Sequence, residues 1–305
     1  MLDYHLHLWE HGPRTLEATL EQVAAYCERA QAEGVVEIAI TEHLHRFRQA
    51  DAVLGGWWEE EPPSAVRDAM ADFWNGEVGA DLDRYVEVVL AAKDAGLPVV
   101  LGLEVDFYRG RMHDVAAILD GYPFDVLLGS VHWLGAWGFD GVGSDVVMAE
   151  WDARAVEDVW DAYADSIDEL ADSGVCDVLA HPDLCKVAGR RPAVPDEWHA
   201  RMAEAAARGG MSAEVNSNGW RKPAAEAYPA PDLLARFHAA GVPVTTATDA
   251  HRLDRVGERR GDVARLLVDA GYESVAGFRG RQRRAVPIAV APTPTDGGPS
   301  GRVAV

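Results

Sequence analysis

Cysteine is scarce in this 305-residue chain, and Cys27, Cys176 and Cys185 are too scattered for a disulfide framework or a thiolate zinc site. Basic residues are few as well: 28 Lys and Arg stand against 50 Asp and Glu, for a formal net charge of −22. A field of that sign repels nucleic acid and anionic membranes and argues against a nuclease, although solubility alone accounts for most of the acidity. No apolar run has the length of a membrane span, and no basic segment followed by an apolar one opens the chain, so a soluble protein of the reducing cytoplasm is expected. The GxSxG elbow, a Cys-His pairing and the phosphate loops GxGxxG and GxxxxGK[ST] are missing too. With no Ser or Cys nucleophile signalled, water activated by metal is left as the nucleophile by elimination.

What the chain does contain is a repeated pattern. Seven apolar runs end in polar clusters: DYHLHL (3–8), VVEIAITEH (35–43), PVVLGLEVD (98–106), DVLLGSVH (125–132), CDVLAHPD (176–183), MSAEVNSN (211–218) and VPVTTATDAH (242–251). Six of the seven ends hold metal-binding residue types. Helix-like stretches separate the runs, an alternation that predicts a parallel sheet with crossover helices in one domain. Thr15 is the expected cap of the first helix, with Leu16, Leu20, Val23, Cys27 and Ala30 on its apolar face and Gly34 as its stop. Further helices are expected over 82–95 and near 112–120, 153–173, 195–208, 230–240 and 258–270. Residues 46–80 and 133–150 read as long loops leaving strand ends, and the domain is expected to span 1–286, with 287–305 a disordered tail.

If the strands are parallel, their C-terminal ends meet on one face. That face then gathers His5, His7, His43, Glu104, His132, His181, Asp249 and His251, which is too many ligands for one zinc and suggests a multinuclear hydrolytic site. His5 and His7 flank Leu6 in an extended strand, where a period of two puts both imidazoles on one side. Asp249 and His251 repeat that spacing at the last strand. Glu104 sits in a run apolar enough to be buried, where a bridge between two cations or a buried salt bridge would offset its desolvation. His132 and His181 are single imidazoles, each more often a core residue when taken alone. His45 and His11 are open between the site and a loop, whereas His113, His199 and His238 fall on predicted helices as surface or packing residues. Imidazole and carboxylate ligands suit zinc, iron(II) or manganese alike.

The motifs HLH, TEH, GLEVDF, GSVHW, AHPD and TDAH, in this order, resemble the polymerase and histidinol phosphatase (PHP) superfamily. Residues 213–257 and 129–140 are similar more particularly to its histidinol-phosphate phosphatases. The resemblance covers nearly all of residues 1–280 and implies a distorted (β/α)7 barrel with two or three divalent ions at its C-terminal face. It implies one ion on His5, His7, Glu104 and Asp249, a second on Glu104, His132 and His181, and a third on His43, His251 and a further histidine. Here His11 stands six residues after His5, where many members have that histidine after eight.

The function implied is hydrolysis of L-histidinol phosphate, a small phosphate monoester, with Asp249 and His251 the candidates for proton transfer. Arg221 is the candidate phosphate clamp, since its planar fork suits oxyanions, with Lys222 and Lys186 behind it. Phosphotyrosine or a nucleotide as substrate, an amidohydrolase, and a non-catalytic PHP domain are the alternatives. An amidohydrolase is disfavoured by the final DxH and by a Glu where a bridging Lys is usual. Oligomeric state is left open.

Overall fold

Short apolar runs alternating with amphipathic helices bury both faces of each strand, so the strands pair in parallel under a helical coat. The computed structural model describes residues 1–12 and 16–288. Strands β1 (Leu2–Leu6), β2 (Glu37–Ile40), β3 (Val99–Asp106), β4 (Val126–Ser130), β5 (Val178–Leu179), β6 (Ser212–Asn216) and β7 (Val244–Ala247) pair in that order, all parallel. Every residue in them is buried. The ring closes loosely: Leu6 bridges to Ala250, the His7 amide donates to the Ala250 carbonyl at 2.9 Å, and Thr246 Oγ1 donates to the Leu2 carbonyl at 2.6 Å. This is a distorted (β/α)7 barrel.

Around it lie α1 (Leu20–Ala32), α2 (Arg48–Leu54), α3 (Ala65–Glu77), α4 (Leu82–Asp94), α5 (Met112–Leu119), α6 (Asp145–Ala153), α7 (Val156–Ser173), α8 (Asp196–Arg208), α9 (Pro231–Ala239) and α10 (Arg260–Asp269). The expected helices are all present, but the first begins later than its apolar spacing suggests. Thr15 lies outside the described residues and Leu16 precedes the helix; the cap is Thr19. Thr19 Oγ1 accepts from the Gln22 amide while the Gln22 side chain accepts from the Thr19 amide, a reciprocal pair that outcompetes a cap further upstream.

The two long connections are not loops throughout. Residues 46–80 contain α2 and α3, and 133–150 run into α6. Val66, Met70 and Trp74 form the inner stripe of α3 at helical spacing, with Ser64 capping by accepting from the Arg67 amide. A further element was not foreseen: β8 (Ser274–Arg279) and β9 (Gln282–Pro287) form an antiparallel hairpin. It covers the N-terminal ends of the barrel strands, where Gly280 and Arg281 amides donate to Asp125 and the Arg281 guanidinium forks onto Asp177. The expected domain end at 286 therefore falls within a strand; of the expected tail over 287–305, Pro287 closes that strand and 289–305 lie outside the described residues.

Asp125 is buried, and its carboxylate accepts from the Leu101 amide at 2.9 Å, the Gly280 amide at 2.9 Å and Lys93. Asp125→Ala leaves a buried strand amide without an acceptor and should cost about 2–4 kcal/mol of stability. A denaturant melt should register that loss while bound metal per chain stays unchanged, since Asp125 lies at the end of the barrel away from the histidines.

Candidate metal centre

Each barrel strand ends by turning its polar cluster inward. The Glu104 carboxylate, fully buried on β3, is at the centre. Its Oε2 faces His5 Nε2 at 3.1 Å, His43 Nδ1 at 2.8 Å and His7 Nε2 at 3.5 Å. Its Oε1 faces His181 Nε2 at 3.0 Å and His132 Nε2 at 3.2 Å. The two oxygens thus address two different sets of imidazoles. Asp249 Oδ1 lies 3.5 Å from His7 Nε2 and 3.9 Å from His5 Nε2, and His43 Nε2 lies 3.4 Å from His251 Nε2. Two of the residues involved sit in the left-handed region without being glycine, His181 at φ 27° and Asp249 at φ 52°. Such backbone costs about 1–3 kcal/mol each and clusters at functional sites.

Three carboxylates that sequence reasoning did not single out stand behind the rings. His5 Nδ1 donates to Glu214 at 2.9 Å and His132 Nδ1 to Asp106 at 2.6 Å, while Glu42 Oε2 lies 3.7 Å from His7 Nδ1. A carboxylate can only accept, so His5 and His132 carry a proton on Nδ1 and present Nε2 to Glu104. The signals were present: Asp106 lies two residues after Glu104 on the same strand, and Glu214 is an acid in a buried strand whose end looked empty of ligands.

The electrostatics fit cations. Burial opposes charge on Glu104, yet His5, His43 and His132 hold its pKa well below the usual carboxylate range, and His5, His7 and His251 do the same for Asp249. Burial pushes His43 and His251 well below the usual imidazole range, leaving neutral rings with lone pairs to give. For His5 burial is again the largest effect, but Glu214, Glu104 and Asp249 together outweigh it and raise its pKa well above the usual value. His5 Nε2, His7 Nε2, His43 Nδ1 and Glu104 Oε2 are buried without a properly directed hydrogen bond. His5, His7 and Glu104 form one group with donor atoms within 4.8 Å of one another; Glu104, His132 and His181 form another, and His7, His43 and His251 a third. Ligands bonded to one ion at about 2.0–2.2 Å stand about 3–4 Å apart, so these residues fit divalent metals.

The other candidates are placed unevenly. His11 lies at the rim, half-exposed, with its ring 4.6 Å from that of His251 and 5.3 Å from that of His43. The tight donor groups found among the described residues do not include it. Its Nδ1 meets buried Arg46 at 3.2 Å and Glu77 at 3.4 Å. His45 sits in a short 3-10 turn with Nδ1 on Asp106 at 2.9 Å, and His199 is buried while His113 and His238 are exposed. Arg221 and Lys222 line the cavity above the cluster, which measures about 680 Å³ and is walled by Val66, Met70, Phe73 and Trp137. Lys186 does not belong with them. A 3-10 turn folds it inward, where it is buried on Asp183 at 2.8 Å and Glu226 at 2.7 Å.

The expectation that no cysteine-phosphatase signal is present needs correcting, since Cys185 and Arg191 have the C-x5-R spacing; but Cys185 is buried, its thiol pushed up by burial, and Arg191 is engaged by Glu226 and the Ala224 carbonyl. A thiolate nucleophile is excluded there.

The PHP domain model matches residues 3–218. The chain belongs to the PHP family. A Deinococcus radiodurans protein named "Probable histidinol-phosphatase" is 38% identical over 205 residues, covering 66% of this chain and 76% of that protein. The crystal structure of histidinol phosphate phosphatase from Lactococcus lactis, complexed with zinc, L-histidinol and phosphate, has the same fold, with TM-score 0.66, 20% identity, and 93% of this chain and 98% of that one covered.

Because Glu104 addresses both imidazole sets, Glu104→Gln should remove most bound metal and nearly all activity, whereas His11→Ala should lose at most one ion per chain and less activity. Elemental analysis and turnover measured on the same preparations decide the order; equal damage from both changes would make His11 as central as Glu104.

Proposed function

We propose that this PHP-family chain is a metal-dependent phosphomonoesterase that hydrolyses L-histidinol phosphate to L-histidinol and phosphate. The observation that carries the reading is the Glu104 carboxylate, whose two oxygens face separate imidazole sets, as a carboxylate shared by two cations would. The family and the name of the Deinococcus radiodurans relative supply the substrate class. His5, His7, Glu104 and Asp249 are assigned to one ion, Glu104, His132 and His181 to a second, and His43, His251 and His11 to a third. Zinc, iron(II) or manganese bound there supplies Lewis acidity toward the phosphoryl oxygens and lowers the pKa of water.

The chain's own residues do the rest. Glu214, Asp106 and Glu42 hold the rings in place. Arg221 and Lys222 bind the equatorial phosphoryl oxygens and oppose the charge that builds on them. Asp249 and His251 line the cavity beside the leaving oxygen; because both are held well below their usual ranges, the proton for the departing alkoxide comes through water next to them and not from their own acid forms. The apolar wall of α3 and Trp137 excludes water around the leaving group. The net charge of −22 disfavours long nucleic acids, the three free, buried thiols suit a reducing cytoplasm, and no helix among the described residues is long and apolar enough to cross a membrane.

Phosphate release from L-histidinol phosphate, beside p-nitrophenyl phosphate and phosphotyrosine, tests the assignment. Chelation should abolish release and lower the melting temperature together, because ions that bind only the folded chain stabilise it by mass action. Full activity in a preparation shown to be metal-free would refute the mechanism. Arg221 is held by Glu258 at 3.3 Å, and the same carboxylate binds Arg255 at 3.0 Å. Arg221→Ala should reduce kcat/KM by the equivalent of about 2–4 kcal/mol and weaken inhibition by inorganic phosphate, with metal content unchanged. Normal kinetics would pass the clamp to Lys222, and lost metal would make Arg221 a support of the centre.

A further inference from the structure

The cavity above the centre is electrically lopsided. Its cations come from one side, with Arg221 and Lys222 following β6 and Arg252 and Arg255 following β7. Across the ring, three places along the strand order from β7, the loop after β4 carries Asp140. Asp140 and Asp249 are the two carboxylates of the lining, and Asp249 belongs to the histidine cluster. The arginines are already tied to acids, Arg221 and Arg255 to Glu258 and Arg252 to Asp254. The Asp140 carboxylate is half-buried and makes no hydrogen bond or ion pair among the described residues. It is close enough to His132 and Tyr228 to act on both electrostatically.

A half-buried carboxylate with no hydrogen bond or contact ion pair, attracted by His132 but not bonded to it, is unfavourable unless something positive arrives. With phosphate drawn to the histidines and the basic side, the part of the cavity lined by Phe73, Trp137 and Asp140 is left for the leaving group. An ester fits this field when it carries a cation close to its phosphate. L-histidinol phosphate has an ammonium on the carbon next to the ester-bearing one.

We propose that Asp140 is a specificity-determining residue that receives the ammonium group of an amino-alcohol phosphate. The inference rests on the phosphomonoesterase reading and adds the residue that recognises the amine of the substrate.

The test uses the metal-loaded enzyme and its Asp140→Asn and Asp140→Glu variants. Three esters are compared: L-histidinol phosphate, O-phosphoethanolamine, which keeps the amine without the ring, and p-nitrophenyl phosphate, which has no amine. Asp140→Asn should lose about 10- to 100-fold in kcat/KM on both amines, mainly through KM, the scale of one charge-assisted hydrogen bond, and less than about threefold on p-nitrophenyl phosphate. Asp140→Glu should recover part of the loss, with metal content and melting temperature unchanged throughout. Equal losses on all three esters, or lost metal, would overturn the proposal in favour of a role in the metal centre, and unchanged kinetics on the amines would overturn it outright. A calorimetric titration keeps this outcome separate from failure of the proposed function. Even if no ester is turned over, Asp140→Asn should weaken binding of L-histidinol and spare binding of inorganic phosphate, and equal binding of L-histidinol by both forms would end the idea.

Discussion

Five imidazoles surround one buried carboxylate, and that arrangement governs the molecule. Taking an ionised Glu104 out of water costs several kcal/mol even after relaxation. His5, His7 and His43 meet one of its oxygens, and His132 and His181 meet the other. The five rings come from four different strands or the turns just after them, so the arrangement exists only when those strands are in register. Any slip along the barrel would leave an uncompensated charge in the core. The outer carboxylates extend the same logic, each restraining a ring whose inward nitrogen must stay available.

A second buried network sets the rim. Arg46 is fully buried and donates to Glu42 at 2.8 Å, to Glu77 at 3.1 Å and to the Trp9 carbonyl at 3.0 Å. Glu42 in turn accepts from the Leu8 and Trp9 amides. The turn after β1, which carries His11, is thereby fastened to α3 through Glu77. The inserted helices consequently serve two purposes: α3 walls the cavity with Val66, Met70 and Phe73 while its last residue anchors the segment that bears His11.

Much of this was legible in linear form because the period of a strand and the period of a helix are local properties. The seven runs became seven strands, and Gly34 at φ 75° and Gly96 at φ 80° stand beyond the ends of α1 and α4, where they take up the left-handed conformation that an L side chain resists. Less legible were α2, α3 and α6, whose stripes lie in segments rich in Gly, Trp and acidic residues that resemble loops. The run ending at Asn218 looked empty of ligands because its acid, Glu214, lies inside the strand and meets His5 Nδ1 and the His181 amide from behind the cluster. Lys186 looked like a solvated base, and only the fold shows it enclosed by Asp183 and Glu226.

Residue type and spacing alone determined the parallel strand-helix alternation, the chemical nature of the candidate donors and the paired side chains at 5 and 7 and at 249 and 251, since each depends on neighbours a few residues apart. Contacts between residues far apart in the chain were decided by tertiary structure. Which oxygen of Glu104 faces which histidine, which acids stand behind the rings, how Arg221 and Arg255 come to share Glu258, and why Asp140 lines the cavity with no side-chain partner among the described residues all depend on loops brought together by barrel closure. No local pattern encodes such distances, because they are set by the packing of the whole ring.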